Sequence, residues 1–508
     1  MFAKVSSLGL FGLNAFPVDV EIDISRALPQ FDIVGLPDAV VRESRERIRA
    51  ALRACDIKFP VAKVMINLAP ANTKKSGSVH DMAIFMAILE AMHMTDLSPD
   101  GSAFIGEISL NGDIRRINGV LPMVMLAYEK GIKSVFVPYE NAREASVIKG
   151  IDVYAVRNAR ELISHFRNEN KMTPVENYIP SDAAYDNALD FADVRGQQGA
   201  KKALEIAAAG GHNALMVGTP GSGKSMLSKR MPSILPRLTF EEALETSKIH
   251  SITGLLSSEQ PIITKRPFRS PHHTISSAGL IGGGSIPKPG EISIAHNGLL
   301  FLDEIAEFDR RTLEIMRQPL EDGKVSIVRA AGSVTYPCNV MLIAAMNPCP
   351  CGYYGHPTRK CICSRKKVSD YLSKLSGPLL DRFDLHIEVA PVEFEDLSSK
   401  AHEEPSSEIR KRVMAAREIQ RERFKGTPIT CNAMITPDKL GEFCLMDEPA
   451  ETIFKSIFDR LGLSARAYDR ILKVARTIAD LNGDDLIRKH HIAAAAQYRS
   501  LDRKYWTE

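Results

Sequence analysis

"LMVGTPGSGKSML", residues 215 to 227, runs from an apolar stretch through a glycine-rich turn into a Lys-Ser pair. It fits the spacing G-x-x-x-x-G-K-[S/T], with a strand-like run before it and a helical pattern after it, the context in which that spacing carries meaning. Gly218, Gly221 and Gly223 let backbone N–H groups turn inward around phosphates, with Thr219, Pro220 and Ser222 completing the turn. Lys224 can then reach the β- and γ-phosphates, and Ser225 offers a hydroxyl to Mg²⁺. The bland alternative, a glycine-rich turn with an incidental Lys-Ser, leaves the flanking strand and helix unexplained. The stretch therefore predicts an α/β core that binds a nucleoside triphosphate.

Further along, "GLLFLDE" (298–304) is an apolar run ending in two carboxylates. Asp303 is placed to hold Mg²⁺ through water and Glu304 to polarise an attacking water as general base. "CNVMLIAAMN" (338–347) is another buried-type strand ending in an amide, Asn347, suited to orienting that water; its rival role is a strand-end cap. "SGPLLDRFD" (376–384) sets Arg382 in a loop before the strand-like "DLHIEVA". Such an arginine can act in trans on a neighbouring subunit's nucleotide, the rival being a surface salt bridge. These runs are apolar at nearly every position, as parallel strands buried on both faces are.

The flanks differ in character. The first ~165 residues mix alternating apolar segments ("PVDVEIDI", "VMINLAP") with helical patterns ("DAVVRESRERIRAALRAC"), an α/β or α+β signature. "NENKMTPVENYIPSDAAYDN" is polar and proline-bearing, a linker. "EIRKRVMAAREIQRERFK" and "LSARAYDRILKVARTIADLN" are helical by period. The expected division is 1–167, a linker at 168–188, a nucleotide-binding core at 189–395 and an all-helical region at 396–508. The chain's 508 residues suit about three domains, and 44% hydrophobic with 25% charged residues suits globular packing. The opening segment is interrupted too early, by Pro17 and acidic residues, to read as a signal peptide, and no apolar stretch is long enough for a membrane span.

Four of the eight cysteines crowd into "NPCPCGYYGHPTRKCICS" (347–364). Cys349, Cys351, Cys361 and Cys363 form two C-x-C pairs that can close around one Zn²⁺, with His356 a substitute ligand. Free thiols and paired disulfides are the alternatives, the last disfavoured in the reducing cytoplasm expected here.

"RPFRSPHHTIS", "GGGSIPKPGEISIAHNGLLFLDEI", "RQPLEDG", "AAMNPCPCG" and "SGPLLDRFDLHIEV" resemble the magnesium-chelatase-like AAA+ ATPases of the ComM/YifB type, and the resemblance covers essentially the whole chain. It implies an AAA+ core with a parallel sheet and a helical C-terminal lid. It puts Asn347 at sensor 1, Arg382 at the arginine finger and Arg466 of "SARAYDR" at sensor 2, with "GLIGGGSIPKPGE" in a helix-2 insert that such rings point at their substrate. "GEISLNGDIRRINGV" and "INLAPANTKKSGSVHDMAI" are similar to the α+β Lon-protease-like domain also carried by the recombination ATPase RadA. Lon proteases use a Ser–Lys dyad. Here Gly77 and Leu121 fall where nucleophile and lysine belong, so a binding or assembly module is expected rather than a protease.

The resemblance further implies ATP and Mg²⁺ as cofactors, hexameric rings, and branch migration on DNA in homologous recombination or natural transformation. The residues add two basic stretches, "RKCICSRKK" and "RPFRSPHH", that would track phosphates of branched or single-stranded DNA; solvated basic loops are the rival. Net charge is +3, so any basic surface must be local. The alternative function is chelatase-type remodelling of a protein partner.

Overall fold

The computed structural model describes residues 1–96, 98–179, 189–284, 287–329, 332–356, 358–391, 403–499, 501 and 505–506. Most of the linker's second half, the boundary near 395 and the tip of the glycine-rich insert at 285–286 lie outside these residues. The chain divides into two compact units.

The first unit comprises Met1–Asp182 with Phe240–Thr264 and Val328–Tyr336. In it the strands β1 (Phe2–Phe11), β2 (Asn14–Ser25) and β3 (Gln30–Val34) precede helix α1 (Ala39–Ala54). Then come β4 (Lys63–Ala69), α2 (Asp81–Ala91), β5 (Ser102–Phe104), α3 (Val120–Glu129), β6 (Ser134–Pro138), β7 (Asp152–Val156) and α4 (Ala159–Phe166). A mixed seven-stranded sheet results, in the order β3-β4-β2-β1-β5-β6-β7. The period-2 pattern of β2 puts Val18, Val20, Ile22 and Ile24 on the buried face. Pro17 is tolerated because β4 pairs with β2 only from Asp19 onward, leaving that end with a single neighbour. Asp38 caps α1 by accepting from Val41 N–H at 2.8 Å, and the stripe Val41, Ile48, Ala51, Leu52 is buried.

The second unit takes Ala183–Thr239, Lys265–Ile327 and Pro337–Glu508. After α5 (Gln198–Gly210) come β8 (Ala214–Gly218), α6 (Lys224–Arg230), β9 (Phe268–Arg269), β10 (Leu299–Leu302), β11 (Met341–Met346), α7 (Arg365–Leu372) and β12 (Leu385–Val389). Every strand pair in the sheet β9-β10-β11-β8-β12 is parallel. All residues of β8, β10 and β11 are buried, as continuous apolar runs require when both faces are covered. The C-terminal helices α8 (Ser406–Arg423), α9 (Glu448–Leu461), α10 (Ala465–Asn482) and α11 (Lys489–Gln497) share one core with the sheet: Val413, Ile471, Ala475 and Ile492 join Met216, Phe301 and Ile343. Ser464 caps α10 and Asp447 caps α9. Among the described residues no helix is long and apolar enough to cross a membrane.

The glycine-rich stretch expected as an insert forms a short helix, Ser277–Ile281, followed by an antiparallel pairing of Gly282–Gly283 with Lys288–Pro289.

Candidate nucleotide site

The loop between β8 and α6 lies at the carboxyl end of the parallel sheet, where neighbouring strand ends converge. Its glycines answer to different demands. A Cβ on Gly218 would meet Val389 O at 2.4 Å, so that residue is small for packing. Gly221 and Gly223 have φ of +77° and +94°, and a Cβ on either would meet nothing within 4 Å. They form an open cradle whose shape depends on a left-handed backbone.

Lys224 Nζ donates to Gly218 O (2.7 Å), Thr219 O (2.9 Å) and Asn347 Oδ1 (3.2 Å). Burial pushes its ammonium down to about 8, opposed by the carboxylates of Asp303 and Glu304. Ser225 Oγ donates to Asp303 Oδ2 at 2.6 Å. The hydroxyl and carboxylate expected to share Mg²⁺ are thus already in contact, and the donor set is the oxygen-rich kind a hard cation takes. Glu304, next after Asp303, has φ +51°, a left-handed backbone for a non-glycine residue. Its carboxylate is 3.9 Å from His273 Nδ1. The cradle, the lysine and the Ser225–Asp303 pair fit a nucleoside triphosphate with Mg²⁺.

Arg382 and Arg466 stand apart from this group. Arg382 lines a separate cavity with Glu314, Arg317 and Glu321, and pairs with Glu321. Arg466 is largely exposed, 3.6 Å from Asp381 Oδ2.

Several residues near the site carried no local signal. Gln197, at φ +57°, donates to Ser222 O (3.2 Å) and Ala390 O (2.6 Å), tying the loop to the end of β12. Asp384 meets His212 Nδ1 at 3.0 Å and Arg470 Nε at 3.5 Å, while His212 Nε2 meets Thr477 Oγ1 at 2.8 Å. Burial alone would raise the Asp384 carboxyl; the His212 bond and the charge of Arg470 hold it below the usual range. This network joins the residues before β8, the Arg382 loop and helix α10, which lie far apart in the chain. Tyr371 is buried, its phenol pushed up by that burial and then by Glu307 and Glu304.

Within the 347–364 insert, the sulfurs of Cys349, Cys351 and Cys361 lie 3.4, 3.5 and 3.7 Å from one another. Cys363 completes a group within 4.8 Å. A tetrahedral Zn²⁺ with Zn–S near 2.3 Å needs S···S edges of about 3.8 Å, whereas a disulfide needs about 2.05 Å. All four are unbridged, and their spacing is nearer the zinc value than the disulfide one. Burial resists ionisation of Cys351, but N–H donors of Tyr353 and Ile362 and the neighbouring thiols hold it at about 6. His356 lies outside this four-sulfur cluster; its Nδ1 accepts from the N–H of Thr358 (3.1 Å) and Arg359 (2.9 Å).

The basic stretches separate in the same way. Arg266 donates to Pro236 O and Asn297 O, each at 2.7 Å, and Arg269 makes a two-point pair with Glu291 at 2.6 and 2.8 Å. Both are bound within the unit, which corrects their expected role as free phosphate contacts. Lys360, Arg365, Lys366 and Lys367 are exposed.

In the first unit, Gly77 has open space around it and Leu121 is fully buried, its N–H donating to Glu144 Oε1 at 3.0 Å. Lys75 is fully buried and donates to Pro70 O. His80 Nδ1 meets Ser7 Oγ at 2.9 Å inside the core.

The chain is similar along its whole length to "Competence protein ComM" of Haemophilus influenzae: 40% identity over 509 residues, covering 99% of this chain and 98% of that protein. It belongs to the ComM/YifB family of magnesium-chelatase-like AAA+ proteins. YifB of Escherichia coli is likewise 40% identical, over 98% of this chain and 97% of its own length. Family profiles agree: "Magnesium chelatase, subunit ChlI" matches residues 190–397, "Subunit ChlI of Mg-chelatase" 20–141, and "Magnesium chelatase, subunit ChlI C-terminal" 403–499. As a member of the ComM/YifB family the chain is an AAA+ ATPase, for which ATP and Mg²⁺ are the implied cofactors. "Lon protease 2" of Bacillus subtilis is 26% identical over 177 residues, 31% of this chain and 32% of that protein.

Proposed function

We propose that this ATPase is a ring motor, a hexamer with ATP bound, that acts in the cytoplasm on branched or single-stranded DNA and drives branch migration in recombination or natural transformation. The observation that carries the reading is the full-length likeness to a protein named for competence, joined to a complete phosphate cradle. The exposed Lys360, Arg365, Lys366 and Lys367 supply sequence-independent phosphate contacts.

Bound ATP·Mg²⁺ supplies the phosphoryl group whose transfer to water releases the driving free energy. The N–H groups from Gly221 to Ser225 hold the phosphate chain, and Lys224 neutralises charge on it. Ser225 and Asp303 hold the metal. Glu304, next after Asp303 at the strand end, takes the proton from water. Asn347 orients that water from the strand end beside Lys224. Arg382, which lines a cavity separate from the cradle, serves a neighbouring subunit's nucleotide once Glu321 releases it, and Arg466 on α10 reports the nucleotide to the lid. The four thiols hold Zn²⁺ as a structural staple.

In this reading residues 1–167 form a non-proteolytic Lon-like module, 168–188 a linker, 189–395 the motor core and 396–508 the lid. The test is a synthetic four-way junction with ATP and Mg²⁺, using Glu304→Gln as control. Wild type resolves the junction, and the variant binds nucleotide but hydrolyses it about 10²–10⁴-fold more slowly. A wild type that neither binds nor resolves the junction across a range of salt concentrations sinks the DNA reading.

The chelatase name on all three profiles favours one second reading, an ATP-driven remodeller of a partner protein. It gains if ATP turnover ignores DNA and rises with a polypeptide partner.

A further inference from the structure

The cysteine cluster and the phosphate cradle touch. Asn347, which accepts from Lys224, is two residues before Cys349. Gly352, just after Cys351, lies against the cradle: a Cβ there would meet Pro220 Cδ at 2.4 Å. Between Cys351 and Cys361, the described residues Tyr353, His356 and Arg359 face nucleotide space. Tyr353, His356 and Arg359 line one cavity of about 600 Å³ together with Gly221, Gly223 and Gln197.

The three side chains hold one another in place. Arg359 Nη1 donates to Tyr353 Oη at 2.8 Å, its guanidinium lying 5.3 Å from the centre of the tyrosine ring. The His356 ring meets Tyr353 edge-on at 5.7 Å. Because His356 Nδ1 accepts backbone N–H groups, the neutral ring carries its proton on Nε2. An aromatic face backed by a guanidinium is a surface on which a base can stack. The cradle fixes the triphosphate, so what reaches this surface is the nucleoside end.

We propose that the loop between the two C-x-C pairs is a wall of the nucleotide pocket, with Tyr353, His356 and Arg359 contacting the nucleoside, and that Zn²⁺ on the four thiols sets nucleotide affinity by clamping the base of that loop. The proposal rests on the ATP reading above. Without the clamp the loop regains conformational freedom, which binding must then remove.

The experiment titrates full-length protein with a fluorescent N-methylanthraniloyl ATP and, by competition, with inorganic tripolyphosphate, and measures zinc by mass spectrometry. Wild type carries one zinc per chain. Tyr353→Ala and Arg359→Ala keep the zinc, weaken the ATP analogue about 5–20-fold and leave tripolyphosphate unchanged. Chelated protein and Cys351→Ser lose zinc and weaken the ATP analogue to a similar degree, with melting curves showing that the sheet core still folds. Lys224→Ala abolishes binding of both probes. If Lys224→Ala does so while the loop variants and the zinc-free protein bind like wild type, the wall is wrong and the ATP reading stands. If tripolyphosphate weakens as much as the ATP analogue in the loop variants, the nucleoside assignment is overturned. Binding of both probes unaffected by Lys224→Ala would instead overturn the ATP reading itself.

Discussion

Each compact unit buries a lysine and bonds its ammonium to backbone carbonyl oxygen. Lys75 in the first unit is fully buried and donates to Pro70 O; Lys224 in the second is nearly so and donates to Gly218 O and Thr219 O. Burial lowers both ammonium groups. Their surroundings differ. Lys224 is opposed by Asp303 and Glu304, bonded to Asn347, and set beside two glycines that leave open space. At Lys75 the lowering comes from burial, and the residues aligned with a protease dyad are Gly77 and Leu121. A buried lysine is therefore no mark of a site; convergent carboxylates, an amide and a ligand-sized gap are.

The sharpest way to break this comparison is to remove each charge. Lys224→Ala is expected to lower kcat/KM for ATP by about 10³-fold, because charge developing on the phosphates loses its counter-charge. Lys75→Met, which keeps the length and removes the charge, is expected to change it less than about threefold. Steady-state kinetics on matched preparations decides. A large catalytic loss in the Lys75 variant would erase the distinction drawn here.

The next effect tests the polar network around Asp384 in the second unit. Asp384→Ala takes one partner from buried His212, which keeps Thr477, and one from half-buried Arg470, which keeps Asp381, and is expected to cost about 2 kcal/mol. A melting curve unchanged from wild type would mean that the network carries no weight.

The smallest effect belongs to the first unit. Burial, with the charge of Lys75, holds the His80 imidazole down to about 3, against about 6.5 unfolded. Above pH 6.5 neither state binds the proton. As pH falls from 6.5 toward 3 the unfolded chain takes it up and the folded unit does not, so stability drops. At pH 5 the loss is about 2 kcal/mol. His80→Asn, which can keep the bond to Ser7, is expected to flatten this part of the profile in pH-dependent melting.

Much of the second unit was legible in the chain itself. The strands β8, β10 and β11 announce themselves as unbroken apolar runs, and the cradle as glycines at fixed spacing, because each depends on local backbone geometry. In the first unit the alternation of β2 was equally plain. What stayed hidden were pairings across long separations. Nothing near Asp384 announces His212 or Arg470, and nothing near Arg269 announces Glu291.

By itself the sequence determined the phosphate loop, the strand ends carrying Asp303 and Asn347, and the crowding of four thiols, since all follow from residue type at short spacing. Only the tertiary structure decided that Arg266 and Arg269 are bound internally, that the Cys351 loop lies against Pro220, and that Arg382 sits in a different cavity from the cradle. The physical reason is that a side chain's charge is set by its identity, whereas its partner is chosen by which distant segments the packed core brings within a few ångströms.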